Sequence, residues 1–494
     1  MPGNDAEKQG WSSHASFMEN LLTRAFEGEI GMPLVAVSDV NMPSTTTALV
    51  GSNGHGVDEK ALVRKIDFRL LPMLFIIYVA AFLDRVNISN ALTMSLPSDL
   101  KLLGVQPNVA LTIFFVPYIL FEIPSNLLMK RFKPQVWLSG CILSFGIVML
   151  AQGFVTSYGG LLTTRFLLGL FEAGIFPGSF YLISTWYKRE ESQKRFTVYW
   201  CSVLVASAFG GLLASGIAEM DGIRGLHNWR WIFILEGILT ILVGVAAFFF
   251  VVDFPENATW LTDAERNFVI ARSGVSKGEK ITKSDILAFF KDVKNIAGGI
   301  MYLCLVVPVY SFAYFTPTIL KTYGYNIIQT QLHTVPPVAA ALVLCLITAY
   351  LSDRTRLRSP FIAFSLTLLI SGLAILMTVH HHFSAQYAGI CFVAMGMFSA
   401  GALIVCWYVM NLHGHAERAI GTAWMIGFGN SGGIIATFTF LKKDAPLYHT
   451  GYSICMGAAC LSATAAIVYG VLIYFEGRKR DVAKMGRGEK YYSL

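Results

Sequence analysis

The chain reads as an all-α polytopic membrane protein of 12 transmembrane helices in two six-helix bundles. Three observations predict this. Of 494 residues, 54% are hydrophobic and only 14% charged, with a mean hydropathy of +0.56, whereas soluble globular chains carry roughly 25% charged residues. The apolar residues come in runs of about 20, enough to cross a hydrocarbon core of roughly 30 Å at about 1.5 Å per residue. The runs also fall into two sets of six, one on each side of a single long charged stretch.

In order, spans are expected at 68–92, 107–129, 135–156, 160–183, 196–219 and 229–252, then at 296–320, 329–351, 360–379, 386–410, 418–440 and 450–475. Residues 1–66 are polar and rich in Gly, Ser, Thr and Asn, with one short apolar patch from Phe17 to Ile30. They read as a disordered cytosolic tail, too polar to bury a core. The N-terminal bundle is expected over 67–253, a cytosolic connecting loop over 254–295, the C-terminal bundle over 296–476 and a second cytosolic tail over 477–494. Within the connector, Thr262-Asp263-Ala264-Glu265 is a capping box, which predicts a short surface helix.

Charge placement sets the topology. Most of the 38 Lys and Arg residues lie in the tails, the connector and alternate loops. The opposite loops hold Lys101, Arg224, Arg230, Lys321, Lys442 and Lys443, and the span interiors hold only Arg85 and Arg165. By the positive-inside rule both termini are cytosolic, and the plasma membrane is the expected location. The net charge of +7 therefore reflects topology. No nucleic-acid partner is expected; the partners are lipid, protons and a small solute, and the chain is expected to act as a monomer. All eight cysteines fall within spans without a CxxC pair, so neither a zinc site nor a disulfide framework is indicated. His380-His381-His382 reads as a solvated turn rather than a metal site. The chain contains no P-loop, no metal-binding helix and no nucleophile elbow. This argues against an enzyme and against a bound cofactor, and leaves a carrier driven by an ion or solute gradient.

The two halves echo each other. Ser207-Ala208-Phe209-Gly210-Gly211 in span 5 answers Gly429-Asn430-Ser431-Gly432-Gly433 in span 11, and Lys130-Arg131-Phe132-Lys133 after span 2 answers Asp353-Arg354-Thr355-Arg356 after span 8. Small residues let membrane helices approach closely, and paired features one half apart are the mark of a transporter with related halves.

A charge near the bilayer centre costs roughly 2.5–3.5 kcal/mol on insertion scales, so each one calls for a reason. The first half carries Asp84 and Arg85 in span 1, Glu122 in span 2, Arg165 and Glu172 in span 4, and Glu236 in span 6; the second half has none in its span interiors. The first half therefore reads as the charge-handling half. Arg165 and Glu172 share a helix face about 10.5 Å apart along the axis, and Asp84 reaches a depth similar to that of Arg165. Arg85, with Arg165 in reserve, is the candidate to hold a carboxylate substrate, because a planar guanidinium binds it bidentately. Glu172 is the candidate for reversible protonation, because desolvation favours the neutral acid. Asp84 is expected to pair with Arg165 in one state and to take a proton in another. Glu122, just before Pro124, reads more readily as a structural group serving backbone freed by the proline, and Glu236 as a structural partner near the outer interface. In the second half, Tyr310 and Tyr314 lie one helical turn apart and are candidate substrate contacts, ahead of Trp407, Tyr408 and Asn411.

At these residues the chain resembles the major facilitator superfamily and, more narrowly, the fungal allantoate and nicotinate permeases of the anion:cation symporter family. The resemblance rests on Tyr78 to Asn87, Glu122-Ile123-Pro124-Ser125-Asn126, Arg165 to Glu172 and Trp229 to Gly237. In the second half it rests on Gln331 to Pro337 and Tyr350-Leu351-Ser352-Asp353-Arg354. It covers about residues 60–480 and implies alternating access around a cavity lined by spans 1, 4, 7 and 10. It implies that Asp84, Arg85, Arg165 and Glu172 handle proton and anion, and that Asp353 and Arg354 belong to a gate. The first-half copy of that gate, Asn126 to Lys133, lacks the usual Asp. The expected function is proton-coupled symport of a small organic anion, a vitamin-like or ureide acid. The alternatives are an exporter of an acidic secondary metabolite and, more remotely, a non-transporting nutrient sensor. Span 5 has glycines but no proline between Val205 and Ile217, unlike the Gly-x3-Gly-Pro of drug:proton antiporters, which favours symport.

Overall fold

The computed structural model describes residues 58–273, 283–379, 382–412 and 414–484. Twelve long helices run through these residues in the expected order. The first six are α1 Glu59–Thr93, α2 Gln106–Arg131, α3 Pro134–Gln152, α4 Tyr158–Trp186, α5 Arg189–Ala218 and α6 Asn228–Phe250. The second six are α7 Val293–Lys321, α8 Ile327–Thr355, α9 Ser359–Thr378, α10 Phe383–Met410, α11 Gly414–Ala436 and α12 His449–Lys484. Over the described residues, ten of them are long and apolar enough to cross a membrane by length and composition alone. The other two, α2 and α11, have 26 and 23 residues and pack against each other across the halves.

Local chemistry explains where the helices begin. The Asp58 carboxylate accepts from the N–H groups of Lys60 and Ala61 at 3.0 and 3.3 Å, so α1 starts at Glu59 and absorbs the end of the tail expected over 1–66. Residues 1–57, with the Phe17–Ile30 patch, lie outside the described residues. Asp292 caps α7 by accepting from Lys294 N–H. Asn326 and Gln329 form a reciprocal capping box at the start of α8. The capping box of the connector forms as expected: Thr262 N–H donates to Glu265 Oε2 at 3.0 Å, and Glu265 N–H donates to Thr262 Oγ1 at 3.3 Å. It opens the helix Asp263–Ser273, which is followed by a second, Lys283–Lys291. At the other end, α12 runs on to Lys484, beyond the expected boundary at 476, and 485–494 lie outside the described residues.

One helix is interrupted where function is expected. α4 consists of Tyr158–Glu172 and Ile175–Trp186, separated at Ala173-Gly174. A Cβ on Gly174 would sit 1.9 Å from Ser125 Oγ of α2, so only glycine permits this approach. Glu172 is the last residue before the break. Irregular backbone at membrane depth is tolerated where it is buried in protein or lines a cavity.

The small-residue echoes prove to be two of the places where the halves touch. Gly211 of α5 lies against Gln331 and Thr334 of α8, and Gly433 of α11 lies against the ring of Phe115 on α2. At the end of the bundle away from the connector (the far end), hydrogen bonds tie the halves together. Lys321 Nζ donates to Thr93 O at 2.6 Å, Gln331 Nε2 to Thr93 Oγ1 at 3.2 Å, and Asn108 Nδ2 to Thr437 O at 2.6 Å. At the connector end the described ion pairs instead link elements of one half or bind the first half to the connector. Arg195 grips Asp67 with two bonds at 2.9 and 2.7 Å, Arg272 joins Glu59 and Glu191, Lys65 meets Glu265, and Lys294 meets Glu476. The conformation is therefore sealed at the far end.

Candidate functional site

The six interior charges of the first half are all at most 2% exposed, so each must find its partner within the protein. Arg85 is the centre. One guanidinium nitrogen, Nη2, is ion-paired with Glu172 Oε1, and the other, Nη1, donates to the hydroxyl of Tyr310 on α7. The rings of Phe82, Phe114, Tyr118 and Tyr310 stand 5.0–5.7 Å from its central carbon. An aromatic cage of this kind stabilises a desolvated cation through the ring faces. The Tyr310 hydroxyl passes its own proton on to Asn430 Oδ1 of α11 at 3.1 Å. A polar chain thus runs from Glu172 through Arg85 into the second half at Tyr310 and Asn430.

The expected Asp84–Arg165 pair is not made in this conformation. Asp84 Oδ2 accepts from Thr240 Oγ1 of α6 at 2.7 Å, and Arg165 Nη1 reaches only the backbone oxygen of Arg85 at 3.4 Å. Equal depth brought the two groups to one layer, but the hydroxyl of Thr240 took the carboxylate. Arg165 keeps Nε and Nη2 without a hydrogen-bond partner. Glu236 accepts from Asn87 Nδ2, and Arg230 turns away to Gly153 O at 3.0 Å. Glu236 is therefore tied to α1 rather than to its neighbour on α6. α2 is continuous through Pro124, and Glu122 lies beside Gly427 and Asn430 of α11.

Between the halves lies a small cavity of about 20 Å³ whose lining includes Tyr78, Tyr118, Trp200, Tyr302, Tyr310 and Asn430. A second cavity of about 60 Å³ lies beyond it, between Ser89, Asn90 and Gly210 on one side and Phe312, Thr334 and Phe398 on the other. Both have the largely apolar lining of small-molecule sites, but in this conformation each has room for only a few water molecules. Tyr310 lines the first cavity. Tyr314 stacks on Tyr310 at 5.9 Å and meets Phe115 edge-on, so it supports the site from behind. Trp407 and Tyr408 pack on Tyr469 of α12, away from the charges.

The remaining expected residues sit elsewhere. Asp353 lies 3.9 Å from Arg358, and Arg354 is exposed in the last turn of α8. In the first half, where the gate sequence lacks its Asp, Asp253 after α6 lies 3.9 Å from Lys133. His380 and His381 fall outside the described residues, and His382 is exposed. Among the described residues no cluster of His, Cys, Asp and Glu could hold a metal. Sequence reasoning missed Asn430 as a site residue, although it had singled out the segment as a packing motif. An amide inside an otherwise apolar span was the signal available.

Two related six-helix halves enclosing a cavity, with buried charge at their contact, define a polytopic membrane transporter. Residues 74–437 match the description of the Major Facilitator Superfamily, and the chain belongs to that superfamily. Over 458 residues it is 32% identical to the MFS-type transporter cnsO of Penicillium expansum, covering 87% of each chain. Over 435 residues it is 34% identical to the major facilitator-type transporter hxnP of Emericella nidulans, covering 86% of this chain and 87% of that one. Among solved structures, the proton:xylose symporter XylE bound to 6-bromo-6-deoxy-D-glucose matches with a TM-score of 0.67 at 15% identity, over 82% of this chain and 95% of that one. A bacterial homolog of the human lysosomal transporter Spinster, inward-facing and occupied, matches with a TM-score of 0.61 at 15% identity, over 84% and 97%. These two likenesses establish the fold. The chain is a membrane transporter, not an enzyme.

Proposed function

We propose that the chain is a proton-coupled symporter of a small organic anion, with the connector end and both termini in the cytosol. The observation that carries this reading is the Arg85–Glu172 pair, sealed from water where the halves meet. A guanidinium at this depth needs one anionic partner at all times, because removing one member of a buried pair costs roughly 3–5 kcal/mol. The partner is either Glu172 or the carboxylate of a substrate. A proton on Glu172 frees Arg85 for the substrate, and loss of the proton returns Glu172 to Arg85 and expels it. Anion and proton then travel together, and the charge around Arg85 stays constant.

The aromatic residues around Arg85 favour a ring-bearing acid. Once the halves part and the small cavity widens, Tyr118 and Tyr310 can stack on a flat ring while Arg85 holds the carboxylate at one edge. Arg165, with two unpartnered donors, is the reserve anion contact one layer away. Tyr310 moves with the second half and couples occupancy of Arg85 to the contact between halves. Asp353 and Arg354 lie where α8 meets its following loop, the position of an inward-side gate. This mechanism agrees with the narrower sequence likeness to the fungal allantoate and nicotinate permeases, and the plasma membrane is the proposed location.

The test uses the purified protein in liposomes loaded with a pH dye. Small acids (nicotinate, allantoate, pantothenate, short hydroxy and dicarboxylic acids) are added outside, with protein-free vesicles as the control for passive entry. One acid should acidify the lumen above the control. Glu172→Gln should abolish proton-driven accumulation of that acid while counterflow exchange persists. Accumulation that survives the substitution would remove Glu172 from the coupling role.

A further inference from the structure

The charge balance of the first half is the starting point. Four carboxylates (Asp84, Glu122, Glu172 and Glu236) and two guanidinium groups (Arg85 and Arg165) are buried together. Fully ionised, the set would leave two uncompensated negative charges out of contact with water, which the interior does not tolerate. Glu172 is ion-paired with Arg85. Two protons therefore remain among Asp84, Glu122 and Glu236; Asp84 has the Thr240 hydroxyl and Arg165 beside it, which leaves Glu122 and Glu236 to compare.

These two differ in what surrounds them. Glu236 accepts from Asn87, which also accepts from Asn90, all within the first half, so its surroundings move as one body with it. Glu122 stands where α2 meets α11 of the other half. A Cβ on Gly427 would lie 3.6 Å from its Oε2, and the Asn430 side chain lies beside it and acts on it. The groups acting on it are Arg85 of α1, Tyr118 one turn earlier on its own helix, and Tyr302 and Tyr310 of α7. Glu172 of α4 lies behind Arg85. Both oxygens of Glu122 are buried, with no ion pair to them among the described residues. The group is dry only while α2 and α11 are together, and it lies about 13.5 Å along the helix from Arg131 at the connector end.

Resting on the symport reading above, we infer that Glu122 is a second proton-binding carboxylate of the transport cycle, holding its proton while α2 packs on α11 and releasing it toward the connector side as they part. Asn430 links the two proton sites. Its oxygen receives Tyr310, which receives Arg85, so the rearrangement that follows protonation of Glu172 reaches the amide beside Glu122.

Two measurements test this on the full-length protein in membranes. Dicyclohexylcarbodiimide adds to a protonated carboxyl and, after acyl migration, remains as an N-acylurea with no atom lost. Mass spectrometry should find this adduct on Glu122 near neutral pH, falling as the medium is made alkaline; its absence near neutral pH overturns the inference without any variant. Second, with the panel acid that acidifies wild-type vesicles, the ratio of protons to substrate is read from reversal potentials. Glu122→Gln should halve it, from about two to about one, with counterflow retained. A purely structural role would change the rate and leave the ratio alone, and an unchanged ratio beside intact wild-type symport overturns the inference while the symport reading stands. If no acid drives protons through the wild type, both fall.

Discussion

Tyr310→Phe removes one oxygen and tests whether the bridge between halves controls the conformation. The hydroxyl accepts from Arg85 and donates to Asn430, so the variant keeps the ring, its stacking on Tyr314 and its place around Arg85 while losing both bonds. A hydrogen bond to a charged group contributes roughly 1.5–3 kcal/mol and a neutral one roughly 0.5–1.5. Once the halves part, water satisfies the same groups, so only the sealed conformation is weakened. A net loss of about 2–3 kcal/mol shifts the balance toward the far-end-open state by about 30- to 150-fold. The assay places a reporter thiol, Ser89→Cys, in a cysteine-free background. Ser89 is buried beside the larger cavity and bonds only to Val86 O on its own helix, so its replacement cuts no cross-half contact. An impermeant thiol reagent added from the far side should label it faster in Tyr310→Phe by that factor, until the open state predominates. Equal labelling rates in the two backgrounds would refute the reasoning and leave Tyr310 as a wall residue.

Two further outcomes follow from packing and charge. In Gly169→Ala the new methyl would stand 2.0 Å from the backbone oxygen of Phe114, forcing α4 from α2 beside the cage around Arg85; overpacking of this kind costs roughly 1–3 kcal/mol, read as a lower unfolding temperature in detergent, and an unchanged temperature would count against the close contact. At the connector, Glu265 is slightly buried, which alone would raise its pKa, but the Lys65 ion pair and the Thr262 N–H outweigh this and hold it below the usual carboxylate value. A lowered folded-state pKa contributes stability present above the unfolded value and lost as pH falls through the folded one. Protease nicking of the connector should thus increase on acidification in the wild type and vary less with pH in Glu265→Gln; the same pH dependence in both would remove this latch.

Much of the fold was legible because the membrane imposes simple rules. Backbone polar groups inside lipid must be satisfied within the segment, so apolar runs of sufficient length become helices; each of the twelve expected spans coincides with a long helix, ten of them long and apolar enough to cross a membrane over the described residues. The start of α1 was misplaced because its first turns, Glu59 to Ile66, carry the polar composition of a tail while Asp58 supplies the cap. The site was legible as a set of residues but not as a set of partners. Asp84, Arg85, Arg165 and Glu172 do converge, yet depth along an axis does not reveal rotation or competing donors, and Thr240 displaced Arg165 as the partner of Asp84. Glu122 was read through its neighbour Pro124, a local argument, whereas its surroundings are made by α11 some three hundred residues later in the chain.

By itself the sequence determined the membrane class, the two six-helix halves, the concentration of charge in the first half and the candidate residues for carrying a proton or holding an anion. These follow from composition, run length and the cost of burying charge, all of which act along the chain. Only the tertiary structure decided that Arg85 takes Glu172, that Tyr310 and Asn430 carry this pair into the second half, and that Glu122 lies beside Asn430 where α2 meets α11. Partnership inside a bundle depends on which donors from distant segments reach the same few ångströms, and hydrogen bonds fall off too steeply with distance and angle for spacing along one helix to settle it.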